Sequence, residues 1–258
     1  MEVNKELHSK KIKELHSKKI QALGRGYNLR TKQFLEPCDP NELGINVLKI
    51  NETLKTDYFR PTRMRYINST RTKNLKLEDG LMEFIVADSM NGKHVGDGHY
   101  PIDVVKEEKG IDVLCVCLNG NQTNEKSLTQ SFKDSADELE LFFKEKKTRE
   151  AIELYKRIWY KKLCQAKKEH NLKKLYYLGF ISTNTKIYMS VFKINLDAIF
   201  NIKDLGFTKQ AASINFENVI EDQYGKTKLY KSKKRMEVRF KKSILECFNT
   251  IEIYALPK

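Results

Sequence analysis

The sequence is short of most features that would announce a function at once. Its apolar runs fall far below the roughly 20 consecutive residues that a membrane-spanning helix needs. The first twenty residues, MEVNKELHSKKIKELHSKKI, hold no apolar segment or small-residue cleavage site of the kind that marks a secretory signal. A membrane protein and a secreted one are therefore not expected, and a cytoplasmic location is. Cysteine is scarce: Cys38, Cys115, Cys117, Cys164 and Cys247 are odd in number and include no CxxC pair, which argues against a disulfide framework or a structural zinc site. No Pro/Ser-rich linker divides the chain, so its 258 residues read as a single domain. GxxxxGK[ST], a GxGxxG after a strand, GxSxG and HExxH are all missing, which removes the usual support for an ATPase, a dinucleotide enzyme, an α/β-hydrolase or a zincin; no nucleotide cofactor is expected.

What the chain has in excess is positive charge. Lys and Arg number 48 against 34 Asp and Glu, a formal net charge of +14. The excess is regional: residues 60–76 carry +6, residues 144–174 carry +8 and residues 226–242 carry +8, so everything outside these stretches is net acidic. Clustered cations of this kind are the footprint of a polyanion-binding surface, although a charge run is also what a solvated face looks like. In FRPTRMRY, residues 59–66, arginines alternate with aromatics, and Arg60, Arg63 and Arg65 are candidates for contact with phosphates or base edges. In KTKLYKSKKRMEVRF, residues 226–240, Lys231, Lys233, Lys234 and Arg235 are expected in a turn feeding a strand and are assigned to phosphate binding.

Along the chain, the unit KELHSKKI occurs twice in tandem within the first twenty residues, with apolar positions on one broad helical side. This predicts an amphipathic N-terminal helix over residues 1–24, and its eight-residue period is too short for a solenoid. Residues 81–87, LMEFIVA, read as a strand. Residues 102–106 and 111–118 read as a hairpin turning through Glu107, Glu108, Lys109 and Gly110. Residues 128–146 and 149–168 have helical apolar spacing, and 176–182 with 187–194 form a second hairpin. A short helix is expected near 197–202. Farther on, Arg235, Glu237 and Arg239 alternate with Met236, Val238 and Phe240 as a half-buried strand, within a basic C-terminal β element over 226–258. Strands, long helices and more strands predict a mixed α+β, or α/β, domain: a central mixed sheet flanked by helices, with basic peripheral hairpins.

Chemistry concentrates in DGHYPIDVVKEEKGIDV, residues 97–113. With the turn through Glu107 to Gly110, Val105 faces Asp112 and Asp103 faces Leu114. Strand alternation then puts Asp103 and Asp112 on one face, a diagonal pair apart. Two carboxylates so close repel unless a cation bridges them, and a hard, oxygen-preferring ion such as Mg²⁺ suits the pair. Such an ion also neutralises charge on a phosphate. The alternative is two solvent-facing aspartates on an exposed hairpin. His94 and His99 flank the turn Gly96-Asp97-Gly98, and His99 is carried forward as a candidate general base, although a loop histidine is commonly just solvated.

Pro101-Ile102-Asp103, the hairpin and the second acidic strand residue resemble the PD-(D/E)xK nuclease core of type II restriction endonucleases, over residues 97–126. The resemblance implies a restriction-endonuclease-like core, Mg²⁺ held by Asp103 and Asp112, duplex DNA as substrate and a homodimer. It also implies a lysine at position 114, where the chain has Leu114. Lys126, just past the strand exit, is the candidate replacement, and Lys106 has the wrong strand parity. In a second register Asp112 is the first acid and Asn124-Glu125-Lys126 supplies the rest. The expectation is a sequence-specific, metal-dependent double-stranded DNA endonuclease; the alternatives are a non-catalytic DNA- or RNA-binding protein and a metal-independent enzyme such as a glycosylase.

Overall fold

A computed structural model describes residues 33–58, 75, 77–96, 100–128, 136–207, 213–230 and 235–256. Together they form a mixed α/β structure with two β-sheets and few helices, and every described residue belongs to one compact unit. The expected N-terminal helix, and with it His8 and His16, lies outside the described residues.

The larger sheet is built on β3 (Val104–Lys106), β4 (Lys109–Asn119), β7 (Lys174–Ser182) and β8 (Lys186–Ile194). β2 (Lys93–His94) closes one edge beside β3, β5 (Gln122–Thr123) folds back on the end of β4, and β1 (Leu35–Pro37) and β13 (Thr250–Ala255) share the far edge of β8. All these pairs are antiparallel except β4 with β7, which run parallel from Lys109↔Lys174 to Cys117↔Ser182. A parallel pair needs a crossover. Helices α3 (Ala136–Lys144) and α4 (Thr148–Glu169) lie within that connection. Between β1 and β2 come α1 (Val47–Thr53) and α2 (Asp79–Ser89).

Both faces of the sheet are covered, and its central strands show why. Ile111, Val113 and Cys115 of β4, with Tyr176, Leu178 and Phe180 of β7, pack in one core with α2 residues Met82, Ile85 and Val86. The alternate residues Leu114, Val116, Leu175, Tyr177 and Ile181 pack in the other with α4 residues Ile152, Tyr155, Trp159, Leu163 and Ala166. Strands buried on both sides become nearly continuous apolar runs, and Asp112 interrupts this one.

The second sheet runs in the order β6 (Lys126–Ser127), β12 (Arg235–Phe240), β11 (Gly225–Tyr230), β10 (Ser213–Glu217), β9 (Lys203–Phe207), all antiparallel. Its inner residues Ile214, Phe216, Leu229, Met236, Val238 and Phe240 share the α4-side core. The backbone N–H of Met236 donates to the Tyr155 hydroxyl at 3.0 Å, which ties this sheet to α4.

Several expectations are met: the helical segment 149–168, the 176–194 hairpin, a short helix, here 3₁₀, at Leu196–Asn201 and the strand Arg235–Phe240; the segment 128–146 is helical over Ala136–Lys144, with Leu128 outside the helix. Three are corrected. Residues 81–87 are helical, not a strand. In the helix Asp79–Ser89 the buried residues Met82, Ile85, Val86 and Ser89 fall at three-to-four spacing, with Ala87 buried beside them, a pattern masked by the exposed apolar residues Leu81 and Phe84. The hairpin turn spans only Glu107 and Glu108, since Lys106 pairs with Lys109 and Val105 with Gly110. Glu107 supplies the positive backbone angle, φ 53°. Gly110 is absent from the turn and is small for another reason: a Cβ there would lie 2.6 Å from Leu172 Cδ1 and 2.9 Å from Leu175 Cδ2. Finally, Glu237, expected on the outer face of its strand, is 3% exposed.

Candidate active site

The shortened turn changes how the two aspartates meet. With Val104 opposite Ile111, and the Asp103 N–H donating to the Ile111 carbonyl at 2.8 Å, Asp103 falls across from Asp112 and not from Leu114. The slip is two residues, so strand parity is preserved and the two carboxyls still share a face, now directly across the ladder. Facing each other, the two carboxyls bear on one another's titration. Asp103 Oδ2 also accepts from the Val113 N–H at 2.7 Å.

Desolvation pushes the Asp103 carboxyl up to about 6, with the Glu83 charge adding to the rise and the Val113 N–H and His94 opposing it. Asp112 is held well above the usual carboxylate range, first by desolvation and then by the charges of Asp103 and Glu83, with Lys126 acting the other way. Two opposed carboxyls withdrawn from water each resist ionisation in the presence of the other.

Helix α2 brings two acids that sequence reasoning missed. Asp79 and Glu83 are four residues apart and so stand on one helical face. Glu83 Oε2 lies 3.0 Å from His94 Nε2, and the His94 ring packs 4.2 Å from that of Phe84. Asp79 Oδ2 pairs with the Lys126 ammonium, and its Oδ1 accepts from the Cys115 N–H at 3.1 Å. The signal for both was the i, i+4 acidic spacing at the head of an apolar segment, which a strand reading hides.

Asp79, Glu83, Asp103, Asp112 and Lys126 line one cleft of about 210 Å³, with Tyr100, Pro101, Leu114, Leu128, Trp159, Lys162 and Tyr177 around them. Gly96 sits at its rim, where a Cβ would stand 2.8 Å from Asp103 Oδ1 and 3.4 Å from Glu83 Oε2. Lys126, expected in a loop, is the first residue of β6 and pairs across to Val238.

Of the remaining candidates, His99, Arg60, Arg63, Arg65, Lys231, Lys233 and Lys234 lie outside the described residues. Arg235 is described, and its Nε donates to Glu237 Oε1 at 3.1 Å. Nearby Arg239 pairs with Glu125 at 2.8 Å. The described arginines of the basic C-terminal element therefore face acids of the same sheet. In the second motif register, Asn124 Oδ1 is taken by the Cys117 N–H at 2.7 Å and Glu125 by Arg239 and Tyr230, away from the cleft.

Among the described residues, no group of three or more His, Cys, Asp or Glu side chains is arranged to hold a metal ion. The Asp103–Asp112 pair nevertheless offers the oxygen donors that a hard cation takes, and a divalent ion between them would relieve their mutual repulsion. Among the described residues no helix is long and apolar enough to cross a membrane. No family model, curated protein or solved structure matches this chain.

Proposed function

We propose that the protein is a Mg²⁺-dependent endonuclease acting on double-stranded DNA, with a restriction-endonuclease-like core, and that it works as a homodimer. The observation that carries the reading is that Asp103, Asp112 and Lys126, from three separate segments, line the same cleft. Asp103 and Asp112 would hold the ion, which when bound lowers the pKa of a water and neutralises charge on a phosphate. The Val113 N–H fixes the Asp103 carboxyl at 2.7 Å, so that oxygen is oriented before any ion arrives. Lys126 offers an ammonium to a non-bridging phosphate oxygen, the role that the motif gives to a lysine at 114. Apolar Leu114, Leu128 and Trp159 bound the cleft and limit water around the charges. The basic stretches hold the polymer by its phosphates, and two-fold symmetry supplies the second cut.

The test is incubation of plasmid and phage DNA with the protein in Mg²⁺ and in EDTA, followed by sizing of the products. Discrete fragments in Mg²⁺ alone are expected. Intact DNA with tight, salt-sensitive retention would assign the protein to non-catalytic binding, and alkali-labile sites formed in EDTA would assign it to glycosylase chemistry.

A further inference from the structure

Asp79, the first residue of α2, uses both its oxygens. Oδ1 is tied to the backbone of β4 through the Cys115 N–H at 3.1 Å, one residue beyond Leu114. Oδ2 takes the ammonium of Lys126, which arrives from β6 in the other sheet. A single carboxylate thus connects the strand that carries Asp112 to a lysine 14 positions farther along the chain.

Leu114 explains why such a connection is needed. It has the strand parity of Asp112, but it is 3% exposed and packs in the core shared with α4 and the second sheet. Although Leu114 also lines the cleft, it brings no charge there, so an ammonium has to arrive from another segment. Lys126 enters the cleft along another path, with 26% of its side chain exposed. A lysine with water on one side has many rotamers open to it. A carboxylate whose other oxygen is already fixed to a strand selects one of them. Ion pairs as exposed as this one contribute little to folding, so placement is the larger effect of the contact.

We infer that Asp79 is a positioning residue, which fixes the Lys126 ammonium in the cleft of Asp103 and Asp112 in place of the lysine that Leu114 displaces. The inference rests on the nuclease reading for its consequence, while the fixation itself is measurable without activity.

Two arms test it. In the first, Asp79→Asn, Lys126→Ala and the double variant are compared by steady-state plasmid cleavage in Mg²⁺ and by DNA binding in Ca²⁺, with thermal melting to confirm folding. Asn retains the acceptor for the Cys115 N–H and removes the charge. Asp79→Asn is expected to lower kcat by about ten- to a hundredfold with KM and binding unchanged, and to cost nothing further in the Lys126→Ala background. Equal losses in both backgrounds, or a rise in KM alone, would overturn the assignment. The second arm is ¹³C NMR of reductively methylated protein, with the Lys126 signal identified by its loss in Lys126→Arg. That signal should stand apart from the bulk lysines and join them in Asp79→Asn; an unmoved signal overturns the inference. A wild-type protein that cuts no DNA would sink the nuclease reading alone, because the second arm still decides whether Asp79 holds Lys126.

Discussion

Asp103 and Asp112 impose a cost that depends on pH. The Asp103 carboxyl, normally near 3.8, is raised to about 6 in the folded protein. Between those values the folded state binds more protons than the unfolded one, so stability falls as pH rises through that window. The penalty is absent below about 4 and complete above about 6. Asp103→Asn keeps an acceptor for the Val113 N–H and can donate to Asp112, so at pH 8 it should stabilise the fold by about 1–2 kcal/mol and at pH 4 by almost nothing. Melting curves at the two pH values measure this, and a gain that is larger in acid would contradict it. The same variant should lose Mg²⁺-dependent cleavage. Gly96→Ala is the complementary change: the added Cβ would stand 2.8 Å from Asp103 Oδ1, on a carboxyl that the Val113 N–H holds in place, and 3.2 Å from the Asp103 Cα, so the melting temperature and cleavage should both fall. The aspartates were legible in the sequence because strand parity survives an error of two residues in the turn. Asp79 and Glu83 were not, because their shared face exists only if the segment is a helix.

At the scale of elements, the misread segment shows what a short apolar run withholds. LMEFIVA has the composition of a strand, and only the spacing of Met82, Ile85, Val86 and Ser89 within Asp79–Ser89 marks it as a helix. Longer elements carried their own arbitration: α4, at 22 residues, repeats its apolar stripe through Ile152, Tyr155, Trp159, Leu163 and Ala166. Because Trp159 of that stripe is 2% exposed in the core, Trp159→Ala should destabilise the fold by about 3–5 kcal/mol, read from urea unfolding. In the hairpin, Gly110→Ala should cost about 1–3 kcal/mol through the two leucine ends that it meets. Gly110 as a turn residue was the natural sequence reading. Its packing against Leu172 and Leu175 depends on where α4 delivers the chain, which local pattern does not encode.

For the molecule as a whole, net charge is the property most easily read from sequence and the one whose placement is least so. The +14 total predicts binding to a polyanion, with a slope of log K against log salt steeper than about −3 for DNA. A flat salt dependence would remove the phosphate-binding role from the basic stretches. Within the described residues, however, Arg235 and Arg239 already face Glu237 and Glu125, so Arg235→Gln should leave that slope nearly unchanged. The cleft itself draws on both sheets, its acids from α2 and the larger sheet and Lys126 from the smaller one. A half-assembled chain, with the larger sheet formed and the smaller one still loose, therefore carries the carboxylates without the Lys126 ammonium. Division of the charged groups in this way makes the Asp79–Lys126 contact a reporter of assembly, since it exists only where both layers have docked.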